Sequence, residues 1–101
     1  MNVRILELFY NRYLVLNSLY EKVEGKKEQL FNIQEISYDL GIKNGKFLDC
    51  FGYLSSEDLI KVHSKYKVSI THLGIRLIEQ SQLNPNNRIN DFPSLHELDL
   101  A

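Results

Sequence analysis

Three lysines occur within seven residues of the stretch KVHSKYKVSIT, which spans residues 61–71. Ammonium groups at this spacing can pair with successive phosphates of a nucleic-acid backbone. Lysines on an exposed strand also prevent edge-to-edge pairing with other chains, so the stretch alone fits either role. The charged and aromatic side chains concerned are Lys61, His63, Lys65, Tyr66 and Lys67.

No catalytic or metal-binding arrangement is recognisable elsewhere in the chain. Cys50, the single cysteine, lies at helical spacing from Phe51 and Leu54, which favours a buried structural thiol. The three histidines share no metal-ligand spacing with one another or with Cys50. Gly41 and Gly45 are not followed by the Lys-Ser/Thr pair of a phosphate-binding loop. We therefore expect no metal, no cofactor and no enzymatic activity.

The composition is that of one globular domain in a reducing compartment. The chain has 101 residues, of which 44% are apolar and 25% charged, and its formal net charge is −1. One cysteine cannot form an internal disulfide, so a cytoplasmic location is expected. No uninterrupted apolar run predicts a membrane span or a signal peptide. Binding to nucleic acid would therefore depend on a local basic patch.

The N-terminal part of the chain predicts a long helix from Val3 to Val23, stopped by Gly25 and the two lysines after it. Its apolar residues cover more of the circumference than one core-facing side needs. Apolar surface left in water usually marks an interface, so we expect a homodimer formed by this helix. The expected interface residues are Val3, Leu6, Tyr10, Leu14 and Val15.

Two shorter helices are predicted next. Asn32, with Glu35 three residues later, is a typical helix start, and Gly41 supplies the stop. The helix after the KNG turn has an apolar face at helical spacing and should fray between Ser56 and Asp58. That face consists of Phe47, Cys50, Phe51 and Leu54.

A β-hairpin and a last helix follow. The strands LIKVH and YKVSIT should be joined at Ser64 and Lys65, and the lack of glycine there predicts a loop slightly longer than two residues. Thr71 is the expected cap of the last helix, which the sequence Asn84-Pro85-Asn86-Asn87 ends.

The remainder, RINDFPSLHELDLA, is predicted to be a tail. We expect a domain of residues 1–83 and an extended C-terminal tail of residues 84–101. Ser94 and Glu97 have the spacing that caps one short helical turn within it.

The order helix, short helix, helix, hairpin, helix resembles the winged-helix branch of the helix-turn-helix fold. Three stretches carry the resemblance: ISYDLGIKNGKFLDCFGYL, YLSSEDLIKV and SITHLGIRLIEQ. Members of that family tend to have glycine at the position of Asp58, so the sequence departs from the pattern there. The resemblance implies a mainly α, α+β fold in which the hairpin is the wing. It also implies a small prokaryotic-type transcription regulator.

In that family the helix after the turn enters the major groove of DNA while the wing contacts the backbone. The resemblance thus implies contacts from the helix and from the wing. Local charge agrees, since residues 43–67 hold five lysines against three acids, whereas residues 79–101 hold one arginine against four acids. The implied DNA-binding residues are Lys43, Asn44, Lys46, Asp49, Tyr53, Lys61, His63, Lys65, Tyr66 and Lys67.

Two other functions remain open at this point. A winged helix can serve as a protein-interaction module, which the near-neutral charge and the lack of arginine between positions 13 and 75 favour. The segment DFPSLHELDL would then be a strap across a partner chain. A regulator with a small molecule between subunits, lined by Tyr10, Tyr13 and Tyr20, is the third possibility.

Overall fold

The structure, a computed structural model, describes residues 3–23 and 29–100. The side chains of Val3 and Asn44, and the expected stop at Gly25 to Lys27, lie outside this part. Four helices and a three-stranded antiparallel sheet in the described residues make an α+β fold, as the sequence predicts. No helix among them has both the length and the apolarity to cross a membrane. In chain order the elements are α1 (Val3–Val23), β1 (Phe31–Asn32), α2 (Ile33–Leu40), α3 (Asn44–Ser56), β2 (Ile60–Ser64), β3 (Lys67–Ile70) and α4 (His72–Leu83).

Helix α1 lies at the centre of the molecule and contacts α2, α3, α4 and β3. Leu16 and Leu19 are fully buried, and the Tyr20 hydroxyl donates a 3.0 Å hydrogen bond to Glu79 on α4. The middle and C-terminal part of the wide apolar circumference of α1 is thus covered by its own chain, while Ile5 and Tyr10 near its start stay exposed. Val15 was expected in a dimer interface, and this prediction is wrong because Val15 lies in the core with 0% exposure.

Local signals fix both ends of α2. The Asn32 side chain accepts hydrogen bonds from the backbone N–H groups of Gln34, at 2.8 Å, and Glu35, at 3.4 Å, which confirms the predicted cap. Gly41 ends the helix with φ 67°, a conformation that favours glycine. Helix α3 then begins at Asn44 and buries the predicted face of Phe47, Cys50, Phe51 and Leu54.

Helix α3 ends in a left-handed residue, Asp58, with φ 59°. The backbone N–H of Asp58 donates to Ser55 and that of Leu59 to Leu54, the pair of bonds that closes many helices. Aspartate tolerates this conformation better than most residues do. Asp58 stands where members of the winged-helix family tend to have glycine, and the left-handed backbone at this position favours glycine as well.

The hairpin of β2 and β3 turns at Lys65 and Tyr66, one residue later than predicted. Because Val62 faces Val68 while Ser64 faces Lys67, the strand carries a β-bulge at the intervening residue, His63. The prediction of a longer loop is wrong, since the bulge takes up the extra residue within the strand.

Strand β1, which the sequence did not predict, pairs with β3 on the side opposite β2. Its two residues, Phe31 and Asn32, face Val68 and Lys67. The sheet order β1-β3-β2 leaves β2 at an edge, with Lys61 and His63 exposed.

Helix α4 begins close to the backbone that precedes β2. The Thr71 hydroxyl donates to the Asp58 carbonyl at 2.6 Å and accepts from the Gly74 N–H at 3.1 Å, so the predicted cap is confirmed. A Cβ at Gly74 would collide with the Leu59 carbonyl oxygen and would lie 2.8 Å from the Ile70 side chain. Only glycine allows the helix to approach this closely.

Residues 84–100, the C-terminal segment, fold back onto the helices, and the prediction of an extended tail is wrong. Phe92, Leu95 and Leu98 are buried in the same core as α1 and α3. Ser94 and Glu97 do form the predicted cap, with the Glu97 N–H donating to the Ser94 hydroxyl at 3.1 Å. Because its apolar side chains are already buried, this segment in its folded state is not free to act as a strap.

Candidate nucleic-acid interface

Four of the predicted DNA-binding lysines are exposed and make no ion pair with any described residue. They are Lys43 in the α2–α3 turn and Lys61, Lys65 and Lys67 on the wing, meaning the β2–β3 hairpin. Lysines without a carboxylate partner can pair with phosphate without first breaking an internal salt bridge.

The remaining wing residues contribute less charge. The His63 ring Nε2 lies 2.8 Å from the buried Ser69 hydroxyl, so one of its nitrogens is engaged within the hairpin. Tyr66 is partly exposed at the turn, and the Lys65 ammonium lies 5.3 Å from its ring centroid. A cation–π contact at an exposed site is weak, so it restrains the Lys65 side chain only slightly.

The polar side chains of α3 are turned mainly towards α1. Lys46 Nζ pairs with a Glu7 carboxylate oxygen at 2.7 Å, and this hydrogen bond lowers the pKa of Glu7. Asp49 pairs with Arg12 at 3.3 Å. Two of the predicted DNA-binding residues are therefore already engaged by side chains of the same chain.

Tyr53 does not belong to the exposed face of α3, contrary to the sequence-based expectation. Its ring lies under the Arg12 guanidinium, whose carbon is 3.8 Å from the ring centroid, and meets Phe9 edge-on at 5.8 Å. Partial burial raises the pKa of the Tyr53 hydroxyl. The ring is thus a stacking partner within the fold.

Arg12 is the residue that organises this part of the α1–α3 interface, and sequence reasoning missed it. Its side chain is 12% exposed, and its Nε is buried with no hydrogen-bond partner among the described residues. The guanidinium stacks between α1 and α3, as arginine does on aromatic faces. The sequence did offer a sign of this role, because Arg12 is a charged residue within the apolar stripe of α1.

An open groove of about 900 Å³, the α2–wing groove, runs between α2, the start of α3 and the wing turn. Three large side chains protrude along it: Tyr38 at 87% exposure, Leu48 at 60% and Tyr66 at 40%. Lys43 and Lys65 also line it, and no Asp or Glu does among the described residues. Sequence reasoning missed Tyr38, which is the most exposed aromatic residue in the described part.

No other described feature suggests chemistry of a different kind. Cys50 is buried, and burial raises the pKa of its thiol to about 11. The described residues contain no group of three His, Cys, Asp or Glu side chains placed to hold a metal ion. Tyr13, expected in a ligand pocket between subunits, lies in the core instead.

Comparison with protein-family models, curated proteins and solved structures found no match for this chain. The winged-helix resemblance therefore depends on the residues of this sequence.

Proposed function

We propose that this protein is a winged-helix transcription regulator that binds duplex DNA mainly through backbone contacts. The observation that carries the proposal is the group of four exposed lysines without ion pairs, on the wing and in the α2–α3 turn. Residues 79–101 have the opposite charge balance, so positive charge is concentrated in the part of the chain that contains α3 and the wing.

The arrangement of elements supports the same proposal. The order α1-α2-α3-hairpin-α4 is the one that the resemblance implies. Gly41 in the turn and the left-handed Asp58 agree with it in detail. In this arrangement α3 would face the major groove while the wing lies along the backbone.

Base reading by hydrogen bonds would be limited. Lys46 and Asp49 are paired with Glu7 and Arg12, so neither is free to contact a base edge without losing an ion pair. Affinity would then come chiefly from released counterions, which makes it depend strongly on salt.

Binding of duplex DNA measured over a range of salt concentrations tests the proposal. In the double variant Lys65→Glu with Lys67→Glu, we expect weaker binding to all sequences alike. The slope of log affinity against log salt should fall by about 0.9 for each phosphate that the wing no longer neutralises.

The matched control is Lys22→Glu with Arg76→Glu, which changes the net charge equally at exposed sites outside the wing. This variant should keep most of the affinity and the original slope. If the unaltered protein does not bind any duplex at low salt, the proposal is wrong.

A second function, a protein-interaction module, is favoured by one specific observation. The α2–wing groove exposes Tyr38, Leu48 and Tyr66 together, and clustered exposed apolar groups usually mark a binding surface. A protein partner whose binding is abolished in Tyr38→Ala, with no affinity for DNA in the unaltered chain, would favour this function over the first.

The homodimer is part of the proposal, although Val15, one of the expected interface residues, is buried in the core. Leu6 and Leu14 are only half-buried, and Ile5 and Tyr10 are exposed at 49% and 37%. A dimer through this end of α1 would place two wings on a site with two-fold symmetry.

A further inference from the structure

The outward surface of α3 has one large side chain that is not engaged elsewhere among the described residues. Lys46, Asp49 and Tyr53 are held by α1, through the Glu7 and Arg12 side chains. Gly45 and Gly52 are exposed, and a Cβ at either would meet nothing within 4 Å. Leu48, at 60% exposure, stands between these two low positions.

The surroundings of Leu48 favour a negatively charged ligand with an apolar edge. Leu48 lines the α2–wing groove together with Lys43 and Lys65, and no acidic residue lines the groove in the described part. A DNA backbone held by these two lysines would lie against the same groove that Leu48 lines, which allows base edges to reach the Leu48 side chain.

We infer that Leu48 is a specificity-determining residue that contacts the 5-methyl group of thymine. This inference rests on the proposed DNA-binding function. The thymine methyl is the apolar group that the major groove displays, and a leucine side chain packs against it favourably. Against the cytosine amine or the guanine oxygen, the same side chain would remove water without returning a hydrogen bond. The preferred ligand is therefore thymine-containing duplex DNA.

The test compares two duplexes of identical alternating A–T sequence, one with deoxyuridine in place of every thymidine. The two have equal charge and the same hydrogen-bonding groups, and differ only in the methyl. We expect the full-length protein to bind the thymidine duplex more tightly, by about fourfold for each methyl buried.

Leu48→Ala should bind both duplexes equally, because the variant keeps the lysines and no longer carries the isobutyl group that would pack on the methyl. Lys65→Glu should weaken both by the same factor and keep their ratio. Since Leu48 is exposed, its truncation leaves the core intact, and circular dichroism can verify the fold of each variant.

The outcomes separate this inference from the function on which it depends. Equal affinity of the unaltered protein for both duplexes would overturn the role of Leu48 while leaving DNA binding in place. A preference for thymidine that persists in Leu48→Ala would assign recognition of the methyl to another residue and overturn the inference as well. Absence of binding to either duplex at low salt would overturn both proposals.

Discussion

Arg12 on α1 changes which side chains of the neighbouring helix α3 are available to contact a ligand. The Arg12 guanidinium pairs with Asp49 at 3.3 Å and covers the Tyr53 ring at 3.8 Å. Both partners look exposed when α3 is considered alone. Because Arg12 engages them, the acidic charge that would repel a phosphate backbone is partly neutralised. Arg12 itself lowers stability in one respect, because its buried Nε has no hydrogen-bond partner among the described residues.

Gly74 provides a prediction at the scale of single residues. In Gly74→Ala, the new methyl would collide with the Leu59 carbonyl and the Ile70 side chain. We expect the free energy of unfolding to fall by about 1–3 kcal/mol, as overpacking of a tight site usually costs. Urea denaturation measures it.

Gly52→Ala is the matched control, since it makes the same substitution in an exposed part of α3 where a Cβ meets nothing. There we expect a gain of about 0.5–1 kcal/mol, because alanine favours the helix over glycine. Equal effects of the two substitutions would contradict the close approach of α4 to Leu59.

At the scale of elements, the C-terminal segment completes the core. Phe92 meets Phe9 of α1 edge-on, with ring centroids 5.2 Å apart. Arg88 and Glu97 tie the ends of the segment together with an ion pair of 2.6 Å, and the hydrogen bond from Arg88 lowers the pKa of Glu97. The segment is thus a structural part of the domain.

Phe92→Ala tests this role. Phe92 is only 3% exposed, so we expect its removal to lower the free energy of unfolding by about 3–5 kcal/mol, the usual cost of removing a buried phenyl ring. Leu83→Ala, at a side chain 74% exposed at the end of α4, should change stability by less than about 0.5 kcal/mol. Similar small losses for both variants would mean that the segment is not packed as described.

The elements that the sequence predicts well have local causes. The caps Asn32 and Thr71 and the stop at Gly41 are formed by hydrogen bonds within a few residues, so the local sequence specifies them. Strand β1 has only two residues and exists because β3 lies beside it, which no local pattern reveals. The prediction of an extended tail fails for a similar reason, since Phe92, Leu95 and Leu98 are buried by packing into a core formed by helices far away in the sequence.

The same distinction applies to the candidate site. The exposed lysines of the wing follow from the sequence, because lysines on a hairpin tip are rarely buried. The pairing of Lys46 with Glu7 and of Asp49 with Arg12 joins residues 39 and 37 positions apart. Pairs at that separation depend on the angle at which α1 crosses α3. That crossing angle cannot be predicted from the local pattern of a single sequence.

At the scale of the whole molecule, the core is complete within one chain. Helix α1 contacts the other three helices and β3, so no large part of its middle is left for a partner. We therefore expect the chain to fold as a monomer and the proposed dimer to form from folded monomers. Such a dimer binds only the folded state, so the thermal midpoint of unfolding should rise modestly with protein concentration.

Calorimetry over a hundredfold range of concentration checks this expectation. Tyr10→Asp, at an exposed position on α1, should remove the dependence, while Leu83→Asp on α4 should leave it in place. A midpoint that stays constant over the whole range would count against the homodimer.

The hydrogen bond between the Ile33 N–H and the Tyr66 carbonyl, 2.9 Å long, has a consequence for the thermodynamics of binding. Together with the pairing of β1 and β3, it joins the wing turn to the start of α2, so the backbone of Lys65 and Lys67 is fixed before any ligand arrives. Ordering a free loop would cost about 1–2 kcal/mol for each residue. Here only the lysine side chains would lose freedom, at about 0.5–1.5 kcal/mol each. The backbone of the wing is therefore preorganised, and the DNA binding proposed above would not carry the added cost of ordering this loop.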